Sequence, residues 1–308
     1  MVTVNCTSDK IWNITALVGF LAANQNKIIT LDIVPEAICL TNIGLYNLLN
    51  KFEFEQVIIK TFNPLEKHNK YTIVLKGSNF WFSRIAKIDS ELHTWDLSKR
   101  FLCLYHRPTA GRLGLASYVH KNHCDTSLIH FSTDDLVDFE IDKLLSWDVT
   151  SAATTANLLT ELPLLLGKTD LYTKFNGYDY NDPLTFLYKN ILVDIAVESH
   201  VAGKTFFPTE KTIRPMLLKK PFIIFGSANY LDYLRQMGFR TFADFWDEDY
   251  DGYEAADRLL KIQSLINLLA SKSINELEKM YWDMQYTLDH NYNLLMTQSY
   301  HKQIKEII

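Results

Sequence analysis

Phe206-Phe-Pro-Thr-Glu-Lys-Thr-Ile-Arg-Pro-Met-Leu-Leu-Lys-Lys-Pro-Phe-Ile-Ile-Phe-Gly226 decides the fold of this chain. It places Glu210, Lys211 and Arg214 at the start of a helix. The helix runs through Pro221 into a short apolar strand that stops at Gly226. A helix followed at once by a buried strand is one step of an α/β layer. Cations beside the free N–H groups of a helix start can hold an anion such as phosphate. The plain alternative is an exposed helix with unremarkable charges.

Working toward the N-terminus, Ile191–Val197 is the preceding apolar strand and ends at Glu198. A carboxylate there can accept ribose or sugar hydroxyls, or simply cap the next turn. Before it, Arg100–Tyr105 reads as a strand, His106–Gly111 as a turn, Arg112–His120 as a helix and Ser127–Phe131 as another strand. Arg107 and Arg112 flank that turn, and the planar fork of arginine suits phosphate oxygens. The spacing Gly111-x-x-Gly114 is not a dinucleotide fingerprint. A helical region is expected over 134–166 and a polar, aromatic loop over 171–183.

The first hundred residues repeat the alternation. Ile28–Val34, Gln56–Phe62 and Tyr71–Lys76 read as strands, and Asn42–Phe52 as a helix. Toward the C-terminus, Ala228–Met237 is helical, and two long amphipathic helices are expected near 254–271 and 274–298. Ser273 with Glu276 opens the second as a capping box. The two closing helices could cross back over the first domain, or Leu259, Ile262, Leu265, Ile266 and Leu269 could form a dimer face. The class expected is therefore α/β, with two domains of largely parallel sheet.

Composition narrows the partners. The net charge of −5 argues against broad nucleic-acid binding, which needs a cationic surface. No run of about 20 apolar residues is present, so no membrane span is expected. No basic segment followed by an apolar run opens the chain, so no secretory signal is expected either. Cys6, Cys39, Cys103 and Cys124 form no C-x-x-C pair, which fits a reduced, cytoplasmic protein without a cysteine metal site. Asp249-Tyr-Asp251 has the D-x-D spacing that holds Mg²⁺ or Mn²⁺ in some transferases. Here it sits in an acidic loop and not directly after an apolar strand, so a solvated loop is expected and no metal.

Three blocks together resemble a known family. Lys99-Arg-Phe-Leu-Cys-Leu-Tyr-His-Arg-Pro-Thr-Ala-Gly-Arg-Leu-Gly-Leu-Ala-Ser-Tyr-Val-His120 resembles the first strand-turn-helix of the donor domain in α-1,3-fucosyltransferase-like enzymes. Ile195-Ala-Val-Glu-Ser-His200 with Phe207-Pro-Thr-Glu-Lys-Thr-Ile-Arg-Pro215 is similar to that family's F-E-N-S and T-E-K blocks. Pro221–Gly226 is similar to its V-P-V-V-x-G strand. A wider group of bacterial and phage proteins regarded as glycosyltransferases shares the same blocks. The resemblance covers residues 99–250.

The resemblance implies a GT-B arrangement: two Rossmann-like domains facing a central cleft, with C-terminal helices. The acceptor would lie on the domain of residues 1–98 and the donor on that of 99–272, with a last segment 273–308 crossing back. It implies a transfer from a nucleotide-diphosphate sugar to an acceptor hydroxyl, inverting and metal-independent, with no cofactor beyond the donor. Arg112 and Lys211 would bind the diphosphate, Glu210 would hold the ribose and Glu198 would lie near the donor sugar, with Arg107, Thr209 and Arg214 also on the donor side. Ser199 replaces the family's Asn, and Thr212-Ile213 its aromatic pair, so fucose is not implied.

An inverting transfer needs a carboxylate base. Glu36, just past a strand, and Asp32, within it, are the candidates. Two other readings stay open. One is a glycosyltransferase acting on a hydroxylated DNA base, using Lys60, Lys67, Lys70 and Lys76 with Phe80, Trp81 and Phe82. The other is a binding or structural protein that keeps the fold without turnover. An oligomer through the C-terminal helices is also compatible with the pattern.

Overall fold

The computed structural model describes residues 1–7, 14–34, 37–76, 94–131, 138–166 and 185–297. The described chain divides into two compact units. One comprises residues 1–76 with Ala202–Phe207, the other residues 94–201 and 208–297. Each is built on a parallel four-stranded sheet, so the molecule is α/β as expected.

The first sheet takes β1 (Val2–Cys6), β2 (Ile28–Ile33), β3 (Gln56–Thr61) and β4 (Thr72–Leu75), in that spatial order. α1 (Val18–Ala23) follows β1, and α2 (Leu45–Leu49) follows β2. The helix expected over 42–52 is shorter because Gly44, at φ 76°, starts it late. β1 adds a strand to those expected. The β-branched runs supply the core: Ile29, Leu31, Ile33, Val57 and Ile59 are buried against Leu45 and Leu49. Thr205 Oγ1 donates to Ala37 O and Asn63 Nδ2 to Lys204 O (2.9 Å), which ties residues 202–207 into this unit.

The second sheet takes β5 (Phe101–Tyr105), β6 (Ser127–Phe131), β7 (Val193–Val197) and β8 (Phe222–Phe225), in the order β6-β5-β7-β8. β5, β7 and β8 are buried along their whole length, as strands covered on both faces are. α3 (Ala110–His123) follows β5. α4 (Asp138–Ser146) and α5 (Ala152–Glu161) follow β6, two helices where one helical region was expected. α6 (Glu210–Leu217) precedes β8, and α7 (Tyr230–Gln236) follows it.

α8 (Ala255–Ser271), α9 (Ile274–Asp283) and α10 (Gln285–Thr297) complete this unit. The helix expected over 274–298 is therefore two helices, and Ser273 with Glu276 forms the expected capping box. Leu259, Ile262, Leu265, Ile266 and Leu269 are buried within the unit, so they are core and not a dimer face. α9 and α10 belong to the second unit, where Asn291 pairs with the backbone of Arg240 and Lys219 with Asp289. Residues 94–98, expected in the first domain, also belong there: Asp96 N donates to Lys189 O. Among the described residues no helix is long and apolar enough to cross a membrane. Cys6, Cys39 and Cys103 are buried free thiols and Cys124 an exposed one.

Candidate anion site at the edge of the second sheet

In the order β6-β5-β7-β8 the winding direction reverses between β5 and β7. Such a reversal opens a crevice outside the carboxyl ends of the two strands, where ligands of α/β sheets bind. Ladder pairing between β5 and β7 stops at Leu102 and Asp194, so β5 runs on to the edge without a β7 partner. Among the described residues the first sheet runs β1-β2-β3-β4 without a reversal.

Several elements bring side chains to this edge. α3 starts directly after the β5 turn. Its first turn lies flat on the sheet because a Cβ on Gly111 would stand 2.8 Å from Phe225 and 3.4 Å from Val197. That close approach seats Arg112, one residue on, at the reversal. Arg112 is only 4% exposed. It donates to Arg107 O (3.1 Å) and Val197 O (3.4 Å), and its Nε has no partner. Among the described residues no carboxylate pairs with it. A buried cation held only by carbonyls keeps a net charge in a low-dielectric place and favours an anion beside it. Arg107 is exposed on the same turn.

α6 supplies the second helix start. Thr209 caps it, its hydroxyl accepting from Lys211 N (3.3 Å). Lys211 Nζ lies 2.7 Å from Glu210 Oε1 and 3.1 Å from Thr209 Oγ1, with 12% of its side chain exposed. Burial acts to raise the Glu210 carboxyl. The charges of Lys211 and then Arg214 outweigh it and hold it down to about 2. Arg214 itself is buried. Its charge also acts on Asp194, which burial pushes up to about 6 against the Tyr188 hydrogen bond (2.5 Å) and Arg214. Arg214 thus serves an inward network rather than an open surface.

Glu198 is placed differently from the sugar contact expected of it. It is 2% exposed. It accepts from Thr209 N (3.0 Å), Thr209 Oγ1 (2.6 Å), Thr212 Oγ1 (2.5 Å) and Tyr230 OH (3.0 Å). A carboxylate has about four lone-pair positions, so these donors nearly saturate it. Glu198 therefore closes the base of residues 199–208 and fixes the start of α6. It is a positioning group in this structure. Burial and the Glu198 charge hold the Tyr230 phenol well above its usual range.

Four contributors were given no site role in the sequence. Glu140 of α4 accepts from Ala110 N, the first N–H of α3 (2.8 Å). Thr212 and Tyr230 complete the Glu198 cluster. Arg258 of α8 is buried and donates to Val201 O (3.1 Å), Gly226 O and Tyr253 O, which braces the loops after β7 and β8. Arg258 had a legible signal: a charge on the 255, 258, 262, 265, 269 stripe of an otherwise apolar helix face.

The D-x-D residues are engaged in the fold. Asp251 Oδ2 accepts from Leu231 N (2.9 Å) and Asp232 N (3.2 Å) at the start of α7, and Asp249 pairs with Lys261 (2.6 Å). In the first unit, Asp32 pairs with Lys76 at 2.5 Å, with 26% of its side chain exposed. Glu36 lies outside the described residues, as do Phe80, Trp81, Phe82 and the loop 171–183. Of the lysines proposed for a DNA groove, Lys76 is neutralised by Asp32, and Lys70 donates to Asn50 Oδ1 (3.3 Å). Lys60 and Lys67 are exposed.

Arg107, Arg112, Thr209, Glu210 and Lys211 thus stand at the carboxyl edge of one sheet, on the two helix starts next to β7. Such an arrangement can receive a polyanion and stabilise charge that develops on it. No protein-family model, no curated protein and no solved structure matches this chain.

Proposed function

We propose that the chain is a glycosyltransferase that moves a sugar from a nucleotide-diphosphate sugar to an acceptor hydroxyl, and that the second unit holds the donor. The observation that carries this is Arg112, buried at the sheet reversal with carbonyls as its only partners among the described residues. The helix start with Lys211 stands at the neighbouring strand end. The resemblance of residues 99–250 to α-1,3-fucosyltransferase-like enzymes supports the same reading and makes GT-B the architecture proposed.

In this reaction the acceptor oxygen bonds to the anomeric carbon as the bond from that carbon to the diphosphate oxygen breaks. The diphosphate leaves with a growing negative charge. Arg112 and Lys211 would meet that charge, which is the step where preorganised donors act most strongly. Lys211 would exchange its Glu210 contact for a phosphate oxygen. Asp249 and Asp251 are committed to Lys261 and to α7, so the side-chain cations, not a metal, carry the diphosphate in this account.

The acceptor proton would pass to a carboxylate of the first unit. Asp32 is already engaged in an ion pair with Lys76. That leaves Glu36 as the proposed base.

The test is release of nucleoside diphosphate from a panel of sugar nucleotides, with and without simple glycoside acceptors. Lys211→Ala is expected to lower turnover at least about tenfold, the worth of one charge-assisted contact. A protein that turns over none of the panel and binds none of it contradicts the proposal.

A further inference from the structure

We infer that the N-terminus of α3 is a phosphate position of this site and that Glu140 is its internal occupant, displaced when the ligand's diphosphate enters. This rests on the donor reading above and adds a competitor to it. α3 is 14 residues long, so its first turn carries a full helix dipole. Yet Thr109, at its N-cap, does not cap it: the Thr109 hydroxyl is buried and has no partner. Among the described residues the one carboxylate bonded at this helix start comes from 30 residues away, where Glu140 Oε2 accepts from Ala110 N at 2.8 Å. Beside it stands Arg112, 4% exposed, its Nε without a partner and its other bonds to carbonyls. A buried cation, an idle hydroxyl and a helix start therefore converge, and a single borrowed carboxylate answers them.

The contrast with α6 shows why Glu140 is the displaceable one. There Thr209 caps its own helix, and Glu198 is buried and takes four protein donors. Glu140 is only half-buried, and among the described residues Ala110 N is its one hydrogen-bond partner. A diphosphate brings more charge and more acceptor oxygens to the same N–H groups than one carboxylate. Displacement costs one exchangeable bond and removes the repulsion between two anions at one helix start.

The experiment is calorimetric titration of uridine diphosphate, guanosine diphosphate and inorganic pyrophosphate into wild type, Glu140→Gln and Glu140→Asp at matched salt. Gln keeps a carbonyl for Ala110 N but loses the charge; Asp keeps the charge but not the reach. The ligand that binds wild type is expected to bind Glu140→Gln about five- to tenfold tighter, with a smaller gain in Glu140→Asp. Tighter binding of pyrophosphate alone by the same factor places the effect on the phosphates; a gain confined to one nucleotide overturns the phosphate assignment. Equal or weaker binding by folded Glu140→Gln overturns the inference while leaving the donor reading intact. If Glu140→Gln does not fold, Glu140→Asp decides by the same criterion. Binding of no ligand by any of the three proteins overturns both.

Discussion

Glu198 is where one side chain does most to shape the site. It lies at the end of an apolar strand, which places a carboxylate among backbone and hydroxyl donors rather than in water. Glu198→Gln must turn its amide nitrogen toward donors on one side, and loses the charge that strengthens the rest. A loss of about 2–3 kcal/mol in urea denaturation is expected; a change within 0.5 kcal/mol, the usual size for a surface substitution, would contradict its role. The sequence showed the residue but not the role, because Thr212 and Tyr230 lie 14 and 32 positions away. Lys211 was legible by position alone. Its partner Glu210 adjoins it, so the ion pair needed no long-range information. Arg112 was legible as a cation near a turn, whereas its burial depends on Gly111 letting the helix press against β7 and β8.

At the scale of elements, the close packing of α3 on the sheet is the feature that can be broken most cleanly. Gly111→Ala puts a methyl within 2.8 Å of the Phe225 ring and is expected to cost about 1–3 kcal/mol, read as a lowered denaturation midpoint. It should also weaken diphosphate binding, because Arg112 moves with the helix; unchanged stability and unchanged binding would contradict the seating described. All the strands except β1 could be read from sequence because β-branched runs bounded by polar breaks have few other uses. The break between α9 and α10 could not. Asp283-Met-Gln285 holds neither glycine nor proline, and tertiary packing decides there. Sheet order was equally hidden. The reversal between β5 and β7 is a long-range fact, yet it is what turns three suggestive strand ends into one site.

At the scale of the whole molecule, buried ionisable groups set how stability follows pH. Lys220, just before β8, is fully buried, its Nζ donating to Thr94 O at 2.6 Å, and burial lowers its pKa to about 7 from 10.5. Between those values the unfolded chain holds a proton that the folded chain lacks, so stability rises with pH across that window. The gain should end near pH 10, where tyrosines exposed by unfolding begin to ionise while buried Tyr105, Tyr188, Tyr230 and Tyr250 do not. Urea midpoints measured from pH 7 to 9.5 should climb in wild type and flatten in Lys220→Met; parallel curves would contradict the assignment. Glu210 acts with the opposite sign at acid pH. Its folded pKa of about 2 contributes stability that is present above 4.5 and lost as pH falls toward 2, and Glu210→Gln removes that limb. The division into two units was legible only in outline, since the return of residues 202–207 to the first unit has no linker to announce it.

The central claim, that the edge of the second sheet receives a nucleotide diphosphate, is tested most directly by hydrogen exchange with and without a sugar nucleotide that the protein turns over. Added protection is expected at the two helix starts, residues 107–113 and 209–214. Protection confined to other segments, with these two unchanged, would contradict it.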